Sequence, residues 1–451
     1  MTLRTPQVQR LLQGPILPTL LRLAVPNVLA MAMAVLVGIA ETYYVGRLGT
    51  VPLAAMALVF PLAMLTQMMS AGAMGGGVSA ALSRAFGAAD AARAQALAKH
   101  ALAIGALVGI VYTLVFLLFG PTFYRWLGGR EAVLAEAARY SNVLFSGALL
   151  VWLANTLASI LRGTGNMRVP SLGIFAMAVL QIGLGGLLCL GAGPVPSFGM
   201  VGIALGHIVA TATGVAFFLW VLLSGQGRLT LRWRGLPWRR EMFADILKVG
   251  ALACLTPLQS VLTVLILTGL VARLGVVPLA GYGIGQRLEF LLVPIAFGIG
   301  VASVPMVGMA IGAGDVGRAR RVAWVAAGLS AFNLALIGAV VVLAPDLWAG
   351  LFSQDAAVLE QARHFLRIVG PAFPLYGLGL TLYFAAQGAG RVFGPVLAGT
   401  VRLLLVAGAG AWLASGEATA ASYFWLVTVA MVSYGLASAA AVKFTPWGRG
   451  A

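Results

Sequence analysis

The sequence predicts an all-α polytopic membrane protein with twelve transmembrane helices in two bundles of six. Its composition is the first reason: of 451 residues, 61% are hydrophobic and only 9% are charged, whereas about 25% charged residues are usual in a soluble domain. The second reason is that the apolar residues form runs of about 20 or more, which suffice to cross a bilayer as helices. The third is an internal repeat with a shift near 225 residues.

The twelve apolar runs give the expected spans directly. They lie at residues 16–46, 51–83, 95–120, 133–161, 168–191, 199–224, 243–273, 277–310, 319–344, 357–386, 393–415 and 420–444. Alternating ten-residue strands, which are typical of an outer-membrane barrel, do not occur between them.

The distribution of positive charge predicts the orientation. The formal net charge is +17, but the basic residues are scattered through short loops and form no single face for nucleic acid. Eighteen Lys and Arg residues fall on the N-terminal side of the spans and at most six on the other side. Because positive loops stay in the cytoplasm, both termini are expected there, as an even number of spans requires.

The repeat divides the chain into two similar halves. Three pairs of segments match, each pair in the same loop of its half: "YVGRLGTVPLAA" (44–55) with "LVARLGVVPLAG" (270–281), "RAFGAADAARA" (84–94) with "MAIGAGDVGRA" (309–319), and "LRGTGNMRVP" (161–170) with "AAQGAGRVFGP" (385–395). Six spans per half is an even number, so the two halves have the same orientation, as in transporters built from parallel repeats. We therefore expect an N-terminal bundle at 1–224, a linker at 225–242 and a C-terminal bundle at 243–451.

The linker is predicted to be a basic amphipathic segment on the cytoplasmic side. This segment and the residues after it set apolar side chains against charged ones, a pattern typical of a segment that lies along an anionic leaflet. The apolar residues are Trp238, Met242, Phe243 and Ile246, and the charged ones are Arg239, Arg240, Glu241 and Asp245.

With these features the chain resembles the multidrug and toxic compound extrusion (MATE) family, and more the bacterial DinF-type branch than the NorM-type branch. The residues that carry the resemblance are Pro26 in the first span, Glu41-Thr42 followed by "VGRLG", the "GAAD" and "GAGD" turns, "LRGTGNMRVP", "GMVGIA" (199–204), and "GYGIGQRLEFLLVP" (281–294). Their order and spacing extend over about 400 residues, from Pro18 to Lys443.

The resemblance implies a V-shaped pair of bundles around a central cavity, with Pro26 as a bending point of the first helix. It also implies a secondary antiporter that exports cationic or amphipathic compounds by alternating access. We expect a monomer in the bacterial inner membrane that needs no cofactor or metal and is not an enzyme. No GxxxxGK[ST] loop occurs, so direct use of ATP is not expected.

Glu41 is the first candidate for ion coupling. An ionisable group in a membrane helix costs roughly 2.5–3.5 kcal/mol on insertion scales. It is therefore retained mainly where it contacts water, a partner charge or a substrate. Snorkelling to the outer surface or pairing with Arg47 would also explain it, but a spacing of six residues is poor for a helical pair. Family members usually carry an acidic residue at this place in the cavity of the N-terminal bundle.

The neighbours of Glu41 favour protons over sodium as the coupling ion. Many family members combine the acid with an Asn, an Asp four residues later and a Thr, which together form an oxygen-lined sodium site; by position this chain has Gln181, Gly185 and His207. We therefore expect Glu41, Gln181 and His207 to couple protons, with Glu41 and His207 sharing them, and keep sodium as the alternative. A histidine that only packs and bonds a carbonyl is the competing interpretation of His207.

Glu289 and Arg287 in the eighth span form either a structural ion pair or a second coupling site. Substrate contacts are predicted from polar, aromatic and thioether side chains within the spans. These candidates are Met33, Tyr43, Met64, Gln67, Tyr140, Asn155, Gln259, Gln286 and Tyr376.

Two other function classes stay open. A flippase for lipid-linked saccharides shares the superfamily architecture, but it would need a cationic cavity for pyrophosphate, and within the spans only Arg287 and Arg402 are present, with Arg22 and Arg139 near span ends. A membrane enzyme would need a cluster of His, Asp or Cys, and the three histidines and two cysteines are far apart in the sequence.

Overall fold

The computed structural model describes residues 6–191, 193–225, 228–231 and 237–448. The α-helices are α1 Pro6–Gln13, α2 Ile16–Gly46, α3 Thr50–Gln67, α4 Gly75–Gly87, α5 Ala91–Trp126, α6 Glu131–Ser146, α7 Ala148–Gly163, α8 Arg168–Leu190, α9 Met200–Leu223, α10 Arg240–Ala253, α11 Leu255–Ala272, α12 Val276–Gly312, α13 Val316–Leu343, α14 Asp346–Ala349, α15 Ala356–Val369, α16 Phe373–Ala389, α17 Phe393–Ala414 and α18 Ala420–Phe444. A π-helical segment, Met68–Met74, joins α3 to α4, and a 3₁₀ turn, Gly370–Ala372, joins α15 to α16.

These helices confirm the predicted all-α fold with twelve spans. Among the described residues, eleven segments are long and apolar enough to cross a membrane. The pair α6 and α7, bent by 44° at Gly147, makes the twelfth. Large apolar side chains such as Leu118, Phe332 and Leu343 are more than two-thirds exposed, as expected of surfaces that face lipid rather than water.

The chain forms two compact units. The first consists of Leu29–Gly250 and the described residues up to Val8, and the second of Gln9–Val28 and the described residues from Ala251 onward. The chain therefore passes from one unit to the other inside three helices: within α1 after Val8, within α2 after Val28, two residues beyond Pro26, and within α10 after Gly250. The boundaries at 224 and 243 and the bending role of Pro26 stay predictions.

Each unit has its own apolar core. In the second unit, Phe365 of α15 and Phe424 of α18 are fully buried and meet edge to face at a centroid distance of 5.1 Å. In the first unit, Phe116 of α5 stacks on Phe145 of α6 at 4.0 Å. Aromatic pairs of this kind stabilise a core by about 0.5–1.5 kcal/mol beyond the burial of their area.

The repeat found in the sequence is also present in the backbone. Gly49 and Gly275, which occupy the same place in the two halves, have φ angles of +118° and +108°, a region that only glycine adopts without strain. Asp90 and Asp315 each cap the following helix by accepting a hydrogen bond from the backbone N–H three residues on, at 2.9 and 2.8 Å. The matched sequence segments therefore fold into the same turns.

The repeat leads to a prediction at the residue before each of these caps. Ala89 has a φ of +56°, and its counterpart Gly314 has a φ of +85°. A side chain in the left-handed region costs about 1–2 kcal/mol, so we expect Ala89→Gly to stabilise the protein by about 1 kcal/mol and Gly314→Ala to destabilise it by a similar amount. Thermal unfolding of both variants in detergent checks this, and shifts of the same sign would contradict it.

The described end of the linker packs onto the first unit. Met242 and Ile246 are buried, so these two side chains contact protein where the sequence suggested an anionic leaflet. Asp245 pairs with Arg84 at 2.7 Å and with Arg93 at 2.8 Å, which fixes the start of α10 against α4 and α5. Residues 226–227 and 232–236, including Arg232 and Arg234 of the predicted basic segment, lie outside the described residues.

Candidate functional site

Glu41 lies near the C-terminal end of α2 and has a specific partner. Its Oε1 accepts a hydrogen bond of 2.6 Å from Nε2 of Gln181 in α8. Among the described residues, it forms no ion pair within 4.0 Å, so Arg47 does not neutralise it. The next residue, Thr42, bonds back to the carbonyl of Gly38 at 2.7 Å, and Tyr43 is 62% exposed.

Close packing places α8 beside both α9 and α2. A Cβ atom on Gly206 would lie 2.7 Å from the backbone N of Gly185, so this glycine allows α9 to approach the backbone of α8. A Cβ atom on Gly186 would lie 2.7 Å from the ring of Tyr44 in α2. At this close approach of α8 to α2, Gln181 reaches the carboxylate of Glu41.

His207 follows the packing residue Gly206, and among the described residues it forms no ion pair with Glu41 within 4.0 Å. Within the part of the chain that is described, its ring makes no hydrogen bond or ion pair, and Gln181 occupies the place next to the carboxylate. Consecutive helical residues point about 100° apart, so the face used by Gly206 for packing turns the side chain of His207 elsewhere. Proton sharing between Glu41 and His207, and a role of His207 in proton coupling, stay predictions.

Tyr140 is an aromatic candidate that lies close to this carboxylate. It is 6% exposed and lies within electrostatic range of both Glu41 and Tyr124. The sequence placed Tyr140 among the possible substrate contacts without indicating its closeness to Glu41. Met33 and Met64 are partly buried in the same unit, and their predicted substrate contacts remain predictions.

Two further candidates of the first unit contact each other at the π-helical segment. Nδ2 of Asn155 in α7 donates to Oγ of Ser70 at 2.8 Å and to Oε1 of Gln67 at 3.2 Å. π-Helical turns inside α-helices occur often at functional sites, and this one directs Ser70 toward α7. Ser70 was missed in the sequence because a π-helical turn has no reliable sequence signature.

The candidates of the second unit fall into separate contacts. Nε2 of Gln259 donates to Oγ1 of Thr400 at 2.8 Å, and Nε2 of Gln286 donates to the hydroxyl of Tyr282 at 3.0 Å. The guanidinium of Arg287 lies over the ring of Phe352, 5.1 Å from its centroid.

Glu289 is close to a different arginine. Its carboxylate lies within electrostatic range of Arg402, and the described residues contain no Arg287–Glu289 ion pair within 4.0 Å. The guanidinium of Arg402 in turn lies against Tyr376, 5.5 Å from the ring centroid. Within the described residues Arg287 and Glu289 therefore form no ion pair, and no sequence pattern indicates that Arg402 is the arginine close to Glu289. A second coupling site at Glu289 and Arg287 stays a prediction.

The comparison with known protein families is decisive. A family model described as MatE matches residues 26–187 and 253–413, one match in each half of the repeat. The chain belongs to the MATE family. Its many spans and its family together identify it as a membrane transporter, which is consistent with a protein that is not an enzyme.

Curated relatives and solved structures agree with this membership. The chain is 24% identical over 397 residues to the "FAD transporter" of Shewanella oneidensis, covering 88% of this chain and 87% of that protein. It is 26% identical over 396 residues to the "Multidrug export protein MepA" of Staphylococcus aureus, covering 86% of each. Its fold matches a MOP superfamily transporter from Pyrococcus furiosus with a TM-score of 0.89, 23% identity and coverage of 98% and 99%.

A further match is an outward-facing structure of a MATE family multidrug resistance transporter, with a TM-score of 0.87 and 23% identity over 98% of this chain and 97% of that one. These likenesses establish the twelve-helix MATE fold. Membership of the DinF-type branch stays a prediction.

Neither site has the composition of a metal centre. Among the described residues, no group of three His, Cys, Asp or Glu side chains is close enough to hold a metal ion. At the sodium-site positions of other MATE proteins, Gln181 turns its Nε2 toward Glu41 and Gly185 supplies no oxygen from a side chain. The first site can therefore bind a proton or an organic cation at one carboxylate, but it offers few oxygen ligands.

Proposed function

We propose that this MATE protein exports cationic or amphipathic organic compounds in exchange for protons by alternating access. The observation that carries the proposal is the carboxylate of Glu41, which receives one hydrogen bond from the neutral side chain of Gln181. Without a neighbouring cation, the carboxylate can attract either a proton or a cationic substrate, and each excludes the other. The name of the multidrug exporter MepA, a relative that covers 86% of this chain, supports drugs as substrates.

The energy of proton entry is sufficient for this exchange. One proton that enters the cell releases about 2.3 kcal/mol per 100 mV of membrane potential and about 1.4 kcal/mol per pH unit. A pH difference of one unit with 100 mV would therefore support roughly a 500-fold gradient of a neutral substrate, because about 1.4 kcal/mol corresponds to a factor of ten. One-for-one exchange with a monovalent cation is electroneutral, so for such a substrate one pH unit alone supports about a tenfold gradient.

The membrane location, the topology and the oligomeric state of the protein belong to the same proposal. The excess of basic residues on the N-terminal side supports a bacterial inner-membrane protein with both termini in the cytoplasm. We propose that it acts as a monomer with no cofactor. Sodium coupling of the same exporter is the alternative within the family, and a lipid-linked saccharide flippase is the alternative within the superfamily.

Reconstitution with one ion gradient at a time tests the coupling ion. The purified protein is placed in liposomes with rhodamine 123, a fluorescent organic cation, and either a pH gradient or a sodium gradient of equal energy is imposed. We expect uphill dye movement with the pH gradient and none with sodium at constant pH. Full uphill movement with sodium alone would overturn proton coupling.

A cellular assay distinguishes export from lipid flipping. Expression in a bacterium that lacks its own drug exporters is expected to raise survival on ethidium without altering envelope polysaccharide. The reverse result would favour the flippase.

A further inference from the structure

The second unit contains a polar cluster that the proposed export of cations does not use. We name it the Arg402 cluster, and it consists of Arg402 in α17, Tyr376 in α16, Tyr434 in α18 and Glu289 in α12. All four residues belong to the same compact unit. Four separate helices thus direct polar or aromatic side chains to one place within the membrane region.

Arg402 is held by aromatic rings rather than by a salt bridge. Its Cζ lies 5.5 Å from the ring centroid of Tyr376 and 5.7 Å from that of Tyr434, and the two rings are 6.1 Å apart. The Tyr376 hydroxyl is close to the guanidinium. Nε of Arg402 is nevertheless buried and has no hydrogen-bond partner among the described residues.

Glu289 does not complete the hydrogen bonding of Arg402. The carboxylate is within electrostatic range of the guanidinium, but the described residues show no ion pair between them within 4.0 Å. The hydroxyl of Tyr434 is also buried and has the side chain of Ser438 beside it. Nε of Arg402 is therefore the donor of this cluster that lacks an acceptor among the described residues, and a buried donor without an acceptor is costly.

We propose that the Arg402 cluster is a binding site for the anionic group of a flat aromatic compound, with the carboxylate or phosphate on Arg402 and the ring system against Tyr376. The planar guanidinium offers parallel N–H donors that match the oxygens of a carboxylate or phosphate. Tyr376 is partly exposed and supplies the aromatic surface against which another ring packs, whereas Tyr434 is 2% exposed and supports Arg402 from within the protein. Glu289 opposes the bound anion and thereby limits its affinity.

The site extends the range of substrates beyond the cations of the proposed function and does not depend on Glu41. Its test is a pair of dyes with the same xanthene ring system and opposite charge: fluorescein, an anion with a carboxylate, and rhodamine 123, a cation. Binding of each to the purified protein in detergent is measured by fluorescence polarisation without any ion gradient, so failure of proton coupling would not affect the result.

Three variants test the assignment of charge. Arg402→Gln is expected to weaken fluorescein binding roughly tenfold or more, the usual effect of losing a charge-assisted hydrogen bond, and to leave rhodamine 123 binding unchanged. Arg402→Lys keeps the charge but loses the planar fork, so it should fall between Arg402→Gln and wild type. Glu289→Gln removes the opposing charge and should tighten fluorescein binding.

The control is Arg367→Gln, which removes the same charge from an exposed position of α15 in the same unit and should bind both dyes as wild type does. The affinities of flavin mononucleotide and riboflavin, which differ by one phosphate, are compared in the same way. Tighter binding of flavin mononucleotide would show that the site recognises phosphate as well as carboxylate. If Arg402→Gln weakens the binding of both xanthene dyes equally, the role of Arg402 is structural packing. An unchanged affinity for fluorescein would exclude the site. Either result overturns the proposal.

Discussion

Replacement of Glu41 by Gln is expected to abolish proton-driven accumulation of rhodamine 123 in liposomes. Gln has nearly the same shape as Glu, and its Oε1 can accept the hydrogen bond that Gln181 donates at 2.6 Å to the carboxylate. The packing of α2 against α8 is therefore kept. The amide carries no charge and takes up no proton at neutral pH, so the exchange of a proton for a cation at this position is lost.

The loss of proton-driven dye accumulation should be complete if Glu41 is the group that couples the two fluxes. If Glu41 alone couples the two fluxes, the dye distribution in the variant reaches equilibrium with the membrane potential whatever pH gradient is imposed. Dye accumulation by wild type and variant under the same pH gradient is the measurement. Thermal unfolding of the two proteins should agree, because the hydrogen bond to Gln181 is retained.

Two controls make this result specific. Glu360→Gln makes the same change at an exposed position of α15 and should transport as wild type does. Glu41→Asp keeps a carboxyl group but shortens the side chain by one CH₂, so it should retain part of the activity. Uphill transport by Glu41→Gln at the wild-type rate would exclude the central role of Glu41, even if the protein proved to be proton-driven.

The spans and the repeat could be predicted because they depend on short stretches of sequence. An apolar run of about 20 residues has few alternatives to a membrane helix, and its ends are marked by turns whose residues are nearly dictated by backbone geometry. Gly49 and Gly275 show this, since their positive φ angles demand glycine in both halves. The bend at Gly147 has no such sequence signal, because the fourth span is one continuous apolar run in the sequence.

The contacts of the candidate site could be predicted only in part. Glu41 was found because a carboxylate in an apolar run is rare, but its partner depends on how α8 and α9 are rotated. That rotation is fixed by close contacts of Gly202 and Gly206 with the α8 backbone, which no pattern within α9 reveals. The sequence predicts His207 as the group that shares protons with Glu41, whereas the hydrogen bond to the carboxylate comes from Gln181.

Arg402 illustrates the same limit in the second unit. Arg287 is two residues from Glu289 in sequence and was the obvious partner, yet successive positions on a helix diverge, and Arg287 lies over Phe352. The arginine that faces Glu289 comes from α17, more than 100 residues away. A charged residue inside a span deserves a functional hypothesis on its own account, and that rule, applied to Arg402, would have found it.

Replacement of Gly77 by Val is expected to lower the free energy of unfolding more than the substitutions at Ala89 and Gly314. Gly77 in α4 lies against α10, and a Cβ atom there would be 2.7 Å from both the N and the Cα of Gly250 and 3.1 Å from the carbonyl oxygen of Ile246. All three atoms belong to the backbone, so no side-chain movement relieves the overlap. Overpacking of a well-packed site costs about 1–3 kcal/mol and occasionally more, and we expect the upper end.

Thermal unfolding in detergent and the yield of folded protein measure this effect, and a graded series separates it from the cost of Val in a helix. Gly77→Ala should lower the unfolding midpoint, and Gly77→Val should lower it further. Gly269→Val in α11 is the matched control, because a Cβ atom there meets nothing within 4 Å. Equal midpoints for Gly77→Val and Gly269→Val would show that α4 and α10 can separate at little cost. A large difference would show that this contact between two glycines holds the last turn of α10 against α4, while the ion pairs of Asp245 to Arg84 and Arg93 hold its first half.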